Sequence, residues 1–450
     1  MKKINADKEG TNEKDTLLKD PHSKISATKE TIKSLGPGLI TGASDDDPSG
    51  IATFSQAGAQ FGFGMLWMAL FQYPMMTVIQ EMCARLGLVT GSGLGGILKK
   101  RYSKKILIPL SGLVLIANTI NIGADIAAMG ASVRLLVPEV PVLVTTIIFV
   151  VLIISLEILI PYRKYMKILK YLALFLLSYI ITAIIVGGSW SQILTFSIIS
   201  HVEIKPEFAV MFVAIIGTSI SPYLFFWQAS EEAEEDVAKQ KIKEIGKGNP
   251  TVSKREIKLM RIDIAVGIAF AELIVWAIVI TTAGSLHSHG VTNIQSADQA
   301  AKALEPLVKT FPHAGEIAKA IFAFGIISTG LLAIPVLAGS SGYVLADTFG
   351  WKQGLNKKFK QAKAFYIIIA ASTSIGLVIN LVNIDPIKAL IYAAVINAVA
   401  SIPILFAVLK ISNDKCILKE TNGKLSNTIG WLTFIVMIIS VVIMFITWSK

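Results

Sequence analysis

Three consecutive aspartates, Asp45, Asp46 and Asp47, stand inside an otherwise apolar stretch and lead straight into Pro48, Ser49 and Gly50. A carboxylate at membrane depth costs at least about 2.5 kcal/mol on insertion scales and commonly marks an ion path. If the three are buried, a cation is their natural partner. Their neighbours offer oxygen: the hydroxyls of Ser44 and Ser49 here, and the hydroxyl of Ser221 with carbonyls freed near Thr218 in a second segment far along the chain. A set of carboxylate, hydroxyl and carbonyl oxygens suits a hard ion such as Mg2+, Ca2+ or Mn2+. The competing reading starts the helix later and leaves all three aspartates in water, but apolar residues flank them on both sides.

The two segments echo each other. Gly42-Ala-Ser-Asp-Asp-Asp-Pro48 and Gly217-Thr-Ser-Ile-Ser-Pro222 both interrupt a hydrophobic run with proline after a stretch of small and polar residues. Proline lacks the backbone donor and crowds the preceding turn, so each helix should unwind there and release carbonyls. In lipid, such irregular backbone survives only where it lines a cavity or meets a ligand. Paired breaks in corresponding positions are the sequence signature of an inverted-repeat transporter with its substrate between them.

The elements that must position these breaks are transmembrane. The chain of 450 residues is 53% hydrophobic and 16% charged, too apolar for an average soluble domain. Stretches long enough for a hydrocarbon core of about 30 Å recur eleven times, near 37–60, 62–90, 106–137, 141–160, 166–187, 207–230, 258–284, 314–346, 364–383, 387–409 and 428–448. Residues 1–33 read as a polar cytoplasmic tail, 34–187 as a first five-helix repeat, 206–411 as a second, and 428–448 as an eleventh helix. The stretch 231–257, acidic and then basic, reads as a solvated cytoplasmic loop. Lys and Arg gather in the tail and in alternate loops, which predicts a cytoplasmic N-terminus and an external C-terminus in a bacterial-type cell membrane. The net charge of +11 is thereby explained by topology and anionic lipid, without nucleic acid.

Other residues are weighed against ordinary roles. Cys83 and Cys416 are the only cysteines, so neither a disulfide framework nor a thiolate cage is available. Glu81 and Arg85, four apart on one helical face, read as a structural ion pair. His287, His289 and His313 read as part of an ordinary surface loop, with weak metal capture as the alternative. Glu272 lies mid-span with packing as its expected role. Asn397 and Trp227 are candidates for lining the site and the inner vestibule. No nucleophile–base arrangement or phosphate-cradling loop is present, so enzyme chemistry and a resident cofactor are not expected.

Gly36-Pro37-Gly38, Asp47-Pro48-Ser49-Gly50, Gln60-Phe61-Gly62, Leu66-Trp67, Ala84-Arg85-Leu86-Gly87 and Thr90-Gly91 together resemble the first two helices of the NRAMP divalent-metal transporters. The resemblance runs over roughly 35–410. It implies an all-α LeuT-like fold of 5+5 helices with broken helices 1 and 6 plus an eleventh helix. It also implies that Asp47 binds metal and that Thr218 contributes a carbonyl, with Ser44, Ser49, Gly50 and Ser221 completing the set.

Departures from the family pattern alter the expected cargo. Typical members read Asp-Pro-Gly-Asn at the first break and Met-Pro-His at the sixth; here Gly50, Ser221 and Tyr223 replace the Asn, Met and His. Loss of the thioether removes a soft ligand that discriminates against hard ions. The third helix keeps Asp125 but has Ala128 at the second carboxylate position and Asn118 at an upstream one, while Gln228 replaces another histidine. The pattern is similar to that of the NRAMP-related magnesium transporters. It implies Mg2+ transport with Mn2+ accepted and weak or no proton coupling. The alternatives are a proton-coupled Mn2+/Fe2+ transporter of the same family and an Na+-coupled organic-solute symporter of the same fold.

Overall fold

The computed structural model describes residues 37–160, 173–203, 205–379, 385–419 and 421–448. The expected tail 1–33 and the start of the fifth apolar stretch lie outside the described residues. Helices α1 (Pro37–Asp45) and α2 (Pro48–Phe61) are followed by α3 (Trp67–Thr90), α4 (Leu94–Arg101), α5 (Lys104–Leu136) and α6 (Val142–Leu159). Then come α7 (Leu177–Val186), α8 (Trp190–Ile198), α9 (Pro206–Ser219), α10 (Pro222–Ala238) and α11 (Lys254–Ser285). Two short helices, α12 (Ala297–Ala301) and α13 (Glu305–Val308), precede α14 (Ala314–Phe349), α15 (Lys363–Ile379), α16 (Pro386–Ile411) and α17 (Lys424–Trp448).

Among the described residues, seven helical stretches are long and apolar enough to cross a bilayer unaided, and nine if helices bent at short breaks are joined. The difference from eleven has local causes. Helix α1 has only 9 residues, α3 carries Gln72, Gln80, Glu81 and Arg85, and α15 stops at 17 residues. Outward-facing Ile148, Val151, Ile184, Ile439 and Phe445 are all at least half exposed, as a lipid-facing belt requires. The chain is a multi-pass membrane protein.

Both breaks are built alike. Helix α1 ends at Asp45, and Asp47 is extended (φ −71°, ψ 173°) before Pro48 opens α2. Helix α9 ends at Ser219, and Ser221 is extended (φ −85°, ψ 139°) before Pro222 opens α10. Proline disfavours the helical region for the residue before it. At the first helical position, however, it has no intrahelical bond to lose and its φ is already suitable. Each proline therefore starts the second half-helix as much as it stops the first.

Helix α11 packs along α1, α2 and α3, while α5 packs on α14, α15 and α16. The first pair of broken halves approaches α11 backbone to backbone: a Cβ at Gly42 would lie 2.3 Å from the Gly267 carbonyl. The second does the same on α16, where a Cβ at Gly217 would lie 2.0 Å from the Ala394 carbonyl. Glu81 pairs with Arg85 at 3.1 Å, as the spacing suggested, and also with Arg261 at 2.9 Å, tying α3 to α11.

Two expectations need correction. The stretch 231–257 is not a solvated loop throughout, because α10 continues to Ala238 and buries Glu231, Glu232, Glu234 and Asp236. Glu234 accepts from the Tyr343 hydroxyl at 2.8 Å, the Leu355 N–H at 2.7 Å and the Asn356 amide at 2.8 Å. These donors come from elsewhere in the chain, so local composition could not show that the acids would be satisfied inside. Likewise, 285–313 is partly helical, with Ala300, Ala301 and Leu304 buried. His287 Nδ1 lies 2.8 Å from the Ala59 carbonyl and His289 Nδ1 2.8 Å from the Ser285 carbonyl, so the two histidines engage the backbone.

Candidate ion site at the paired helix breaks

Asp47 caps α2. Its Oδ1 accepts the Gly50 N–H at 2.7 Å and the Ser49 hydroxyl at 2.7 Å. Among the described residues, its Oδ2 accepts the Asn121 amide, at 3.0 Å. A carboxylate oxygen has two lone-pair sites, so Oδ1 is saturated while Oδ2 keeps one unused. The hydroxyl proton of Ser49 is committed to Asp47, which makes Thr218 the donor across the 3.3 Å contact between the two hydroxyls. That contact joins the first break to the second.

Asn121 was missed from the sequence. It lies one turn before Asp125, and its Nδ2 also approaches Asp125 Oδ2 at 3.5 Å. With the nitrogen turned to two carboxylates, the amide oxygen points elsewhere. Asn121 Oδ1 and Asp125 Oδ1 are both buried without a hydrogen-bond partner. Their spacing of four residues on one helix face was the available signal.

On the second break, Ser221 turns back on its own helix. Its hydroxyl lies 2.7 Å from the Gly217 carbonyl and 2.8 Å from that of Thr218. The expected free carbonyl of Thr218 is thus half-engaged, with one lone pair left over. Tyr223 is buried, and its hydroxyl donates to the Ser44 carbonyl at 3.1 Å. The Ser44 hydroxyl is also buried beside the break. Gly50 leaves no side chain in the wall, and a Cβ there would come within 3.2 Å of the Asp45 carbonyl.

Asn397 lies on α16 one turn before Ser401, whose hydroxyl donates to the Ile220 carbonyl at 2.5 Å inside the second break. Both polar atoms of the Asn397 amide are buried and unpartnered. Orphaned amides of this kind are rare in native folds. Asp45 and Asp46 are buried as well, and both carboxylate oxygens of Glu272 on α11 are buried without a hydrogen-bond partner. Packing therefore does not exhaust the surroundings of Glu272. Among the described residues, no three His, Cys, Asp or Glu side chains converge on one point, so an ion here relies on hydroxyl, amide and backbone oxygens as well.

A cavity of about 320 Å³ lies beneath α12 and reaches Ile51 and Ala52, within one turn of Gly50. Ala128 contributes a methyl to it where the resemblance would place a second carboxylate. Helix α1 is tied to its neighbours by Gly38 N–H to Asp263 Oδ2 at 2.8 Å and Thr41 Oγ1 to Gln228 Oε1 at 2.6 Å. Trp227, expected to line an inner vestibule, is instead a buried plug against Gly339, with its ring centroid 6.2 Å from that of Tyr343. Burial of the second half of α10 against α14 removes the space the vestibule would need. Asn118 donates to the Leu337 carbonyl and to the hydroxyls of Ser340 and Ser341, linking α5 to α14.

Comparison with known proteins agrees with this architecture. The model of the natural resistance-associated macrophage protein-like family matches residues 38–447. A protein of Agrobacterium fabrum named divalent metal cation transporter MntH is 26% identical over 446 residues, 95% of this chain and 90% of its own. The structure of an Eremococcus coleocola manganese transporter superposes with a TM-score of 0.73 at 17% identity, covering 94% of this chain and 87% of the other. That of MhsT in complex with L-phenylalanine gives a TM-score of 0.56 at 11% identity over 91% and 98%. With broken helices 1 and 6 in a LeuT-like frame and a family match spanning nearly all of the described residues, the chain belongs to the natural resistance-associated macrophage protein (Nramp) family.

Proposed function

We propose that this protein transports divalent metal ions across the membrane by alternating access, taking Mg2+ and also accepting Mn2+. The reading rests above all on the donor set at the breaks, where every available ligand atom is oxygen. Asp47 Oδ2, Asn121 Oδ1, Asp125 Oδ1 and the remaining lone pair of the Thr218 carbonyl are hard donors. Mg2+ dehydrates reluctantly and usually keeps several waters. A site with glycine at 50 and serine at 221 leaves room for them.

An ion arriving through the cavity beneath α12 meets Asp47 Oδ2 first as a charge and then as a ligand. Release on the other side requires α1 to part from Asp263 and Gln228, and α10 to withdraw the Trp227 plug. Ala128 and Asn118 carry no titrating group, and Tyr223 and Gln228 supply no imidazole. Two charges moving through 100 mV gain about 4.6 kcal/mol, so the membrane potential suffices as a driving force without protons. The lysine and arginine distribution supports a cytoplasmic N-terminus and cytoplasmic residues 239–253 in a bacterial-type cell membrane, and import is the direction we propose. The protein acts as a transporter and not as an enzyme.

Purified protein in liposomes should take up both Mg2+ and Mn2+ under an inside-negative potential, at rates unchanged by an imposed pH gradient. Mn2+ uptake that excludes Mg2+ and acidifies the lumen would overturn this reading in favour of a proton-coupled Mn2+/Fe2+ carrier. Amino-acid uptake driven by Na+ would point to the organic-solute alternative.

Position 221 provides a second test. Ser221→Met introduces a thioether and releases the Gly217 and Thr218 carbonyls from their cap. Mn2+ should then be favoured over Mg2+ by about tenfold more than in the native protein, equivalent to about 1.4 kcal/mol. An unchanged ratio in competition uptake would mean that position 221 does not face the ion.

A further inference from the structure

At one end of the bundle, away from the ion site, a cavity of about 660 Å³ opens where the last turn of α4 meets the end of α16. Arg101, Lys410 and Lys415 line it, with Asp414 as its one acid. Both carboxylate oxygens of Asp414 are already used: Oδ2 pairs with Arg101 Nε at 2.9 Å, and Oδ1 accepts the Cys416 N–H at 2.9 Å. Asp414 thus orients Arg101 and offsets a single positive charge. Two lysines remain.

Lys410 is held by aromatic rings. Its ammonium lies 5.6 Å from the centroid of Phe406 and 5.8 Å from that of Trp431. Cation–π contact orients the charge while leaving its strong affinity for an anion largely unspent. Phe406 is itself 40% exposed and supplies an apolar wall to the cavity. Beyond Trp431, helix α17 continues with Ile435, Ile439, Val442 and Ile446 facing outward. A net positive cup therefore opens at the head of an exposed apolar track.

We propose that this cavity is a binding site for an anionic phospholipid, with the phosphodiester in the cup and the acyl chains along α17. Charge complementarity selects the headgroup: basic pockets between membrane helices bind anionic lipid, and each lysine near the surface contributes attraction that salt screens. The adjoining apolar track selects a lipid over free phosphate, which would gain nothing from Ile435 or Ile439. Trp431 lies where an interfacial aromatic is expected. The inference is independent of which ion the protein carries.

The test uses the full-length protein in detergent, titrated with phosphatidylglycerol, phosphatidylcholine or inorganic phosphate, with bound lipid counted by native mass spectrometry and thermal stability followed in parallel. Phosphatidylglycerol should bind saturably and raise the unfolding temperature, whereas phosphatidylcholine and phosphate should do neither. The double variant Lys410→Gln with Lys415→Gln retains the Arg101–Asp414 pair and should fold normally. Its affinity for phosphatidylglycerol should fall by about tenfold or more. If that affinity is unchanged in a folded double variant, or if phosphatidylcholine binds equally well, the proposal is wrong. Equal stabilisation by phosphate would make the cavity a free-anion site and also overturn it. Should the double variant fail to fold, each lysine changed singly gives the same comparison.

Discussion

Asp47→Ala should abolish ion uptake in liposomes while leaving membrane insertion intact. The substitution removes the carboxylate that links the first break to the second, through Ser49 to Thr218, and to α5, through Asn121 to Asp125. Truncating a buried, hydrogen-bonded charge that meets an opposite charge costs about 2–5 kcal/mol, or roughly thirtyfold to several thousandfold in binding. Loss of the α2 cap adds about 0.5–2 kcal/mol to the cost in stability. Asp47→Asn separates the two effects, because an amide oxygen can still accept from Gly50 N–H and Ser49 without carrying a charge, and Asn121, its amide turned over, offers its unpartnered Oδ1 to the new amide nitrogen. It should have near-native thermal stability and no uptake. Transport by either variant at the native rate would show that Asp47 is not the ion's ligand.

The second large effect concerns structure. Gly217→Ala should destabilise the protein sharply, because the new methyl would sit 2.0 Å from the Ala394 carbonyl and 2.7 Å from the Ala398 side chain. Overpacking in a core typically costs about 1–3 kcal/mol, and here the obstacle is backbone that cannot rotate away. The contact joins α9 to α16 immediately before the second break, so separating them also displaces Thr218 and Ser221. A fall in unfolding temperature and a loss of ion binding should therefore appear together. Gly325→Ala, where a Cβ meets nothing within 4 Å, is the control and should change neither. A Gly217→Ala protein as stable as the native one would mean that these helices are farther apart than described.

The helical pattern was readable because lipid imposes it. A chain that cannot leave backbone groups unsatisfied in hydrocarbon must form helices of about 20 apolar residues, so hydropathy alone located the stretches. Proline marked both breaks for an equally local reason. Spacing was enough for the Glu81–Arg85 pair, since positions four apart share a face. Arg261, the third member of that group, comes from 180 residues away along the chain and left no local trace.

The site was legible in half. Asp47, Ser49 and Gly50 belong to one turn, and their mutual hydrogen bonds follow from Asp47 preceding Pro48 at the start of a helix. Asn121 could have been found from Asp125 but was hidden among the other polar residues of a long helix. Ser221 stands at the second break with an unforeseen action, because a serine just after α9 can cap the carbonyls of that helix. Trp227 and the acids after it were misjudged for one shared reason. Whether a polar or aromatic residue lies open or buried depends on what packs against it, and α14 and residues 353–356 arrive from more than a hundred positions away.

By itself, then, the sequence determined that long apolar helices recur along the chain, where two segments break, and that an oxygen-rich acidic turn stands at the first break. These are consequences of short-range chemistry: backbone satisfaction in lipid, proline geometry and the cost of a buried carboxylate. Only the tertiary structure decided which oxygen of Asp47 keeps an unused lone pair, that Asn121 bonds to it, that α1 is tied to Asp263 and Gln228 while Trp227 is buried against α14, and that a basic cup lies beside α17. Each depends on contacts between helices distant in sequence, where glycine-to-backbone distances near 2 Å and single hydrogen bonds select one arrangement among many with the same apolar pattern.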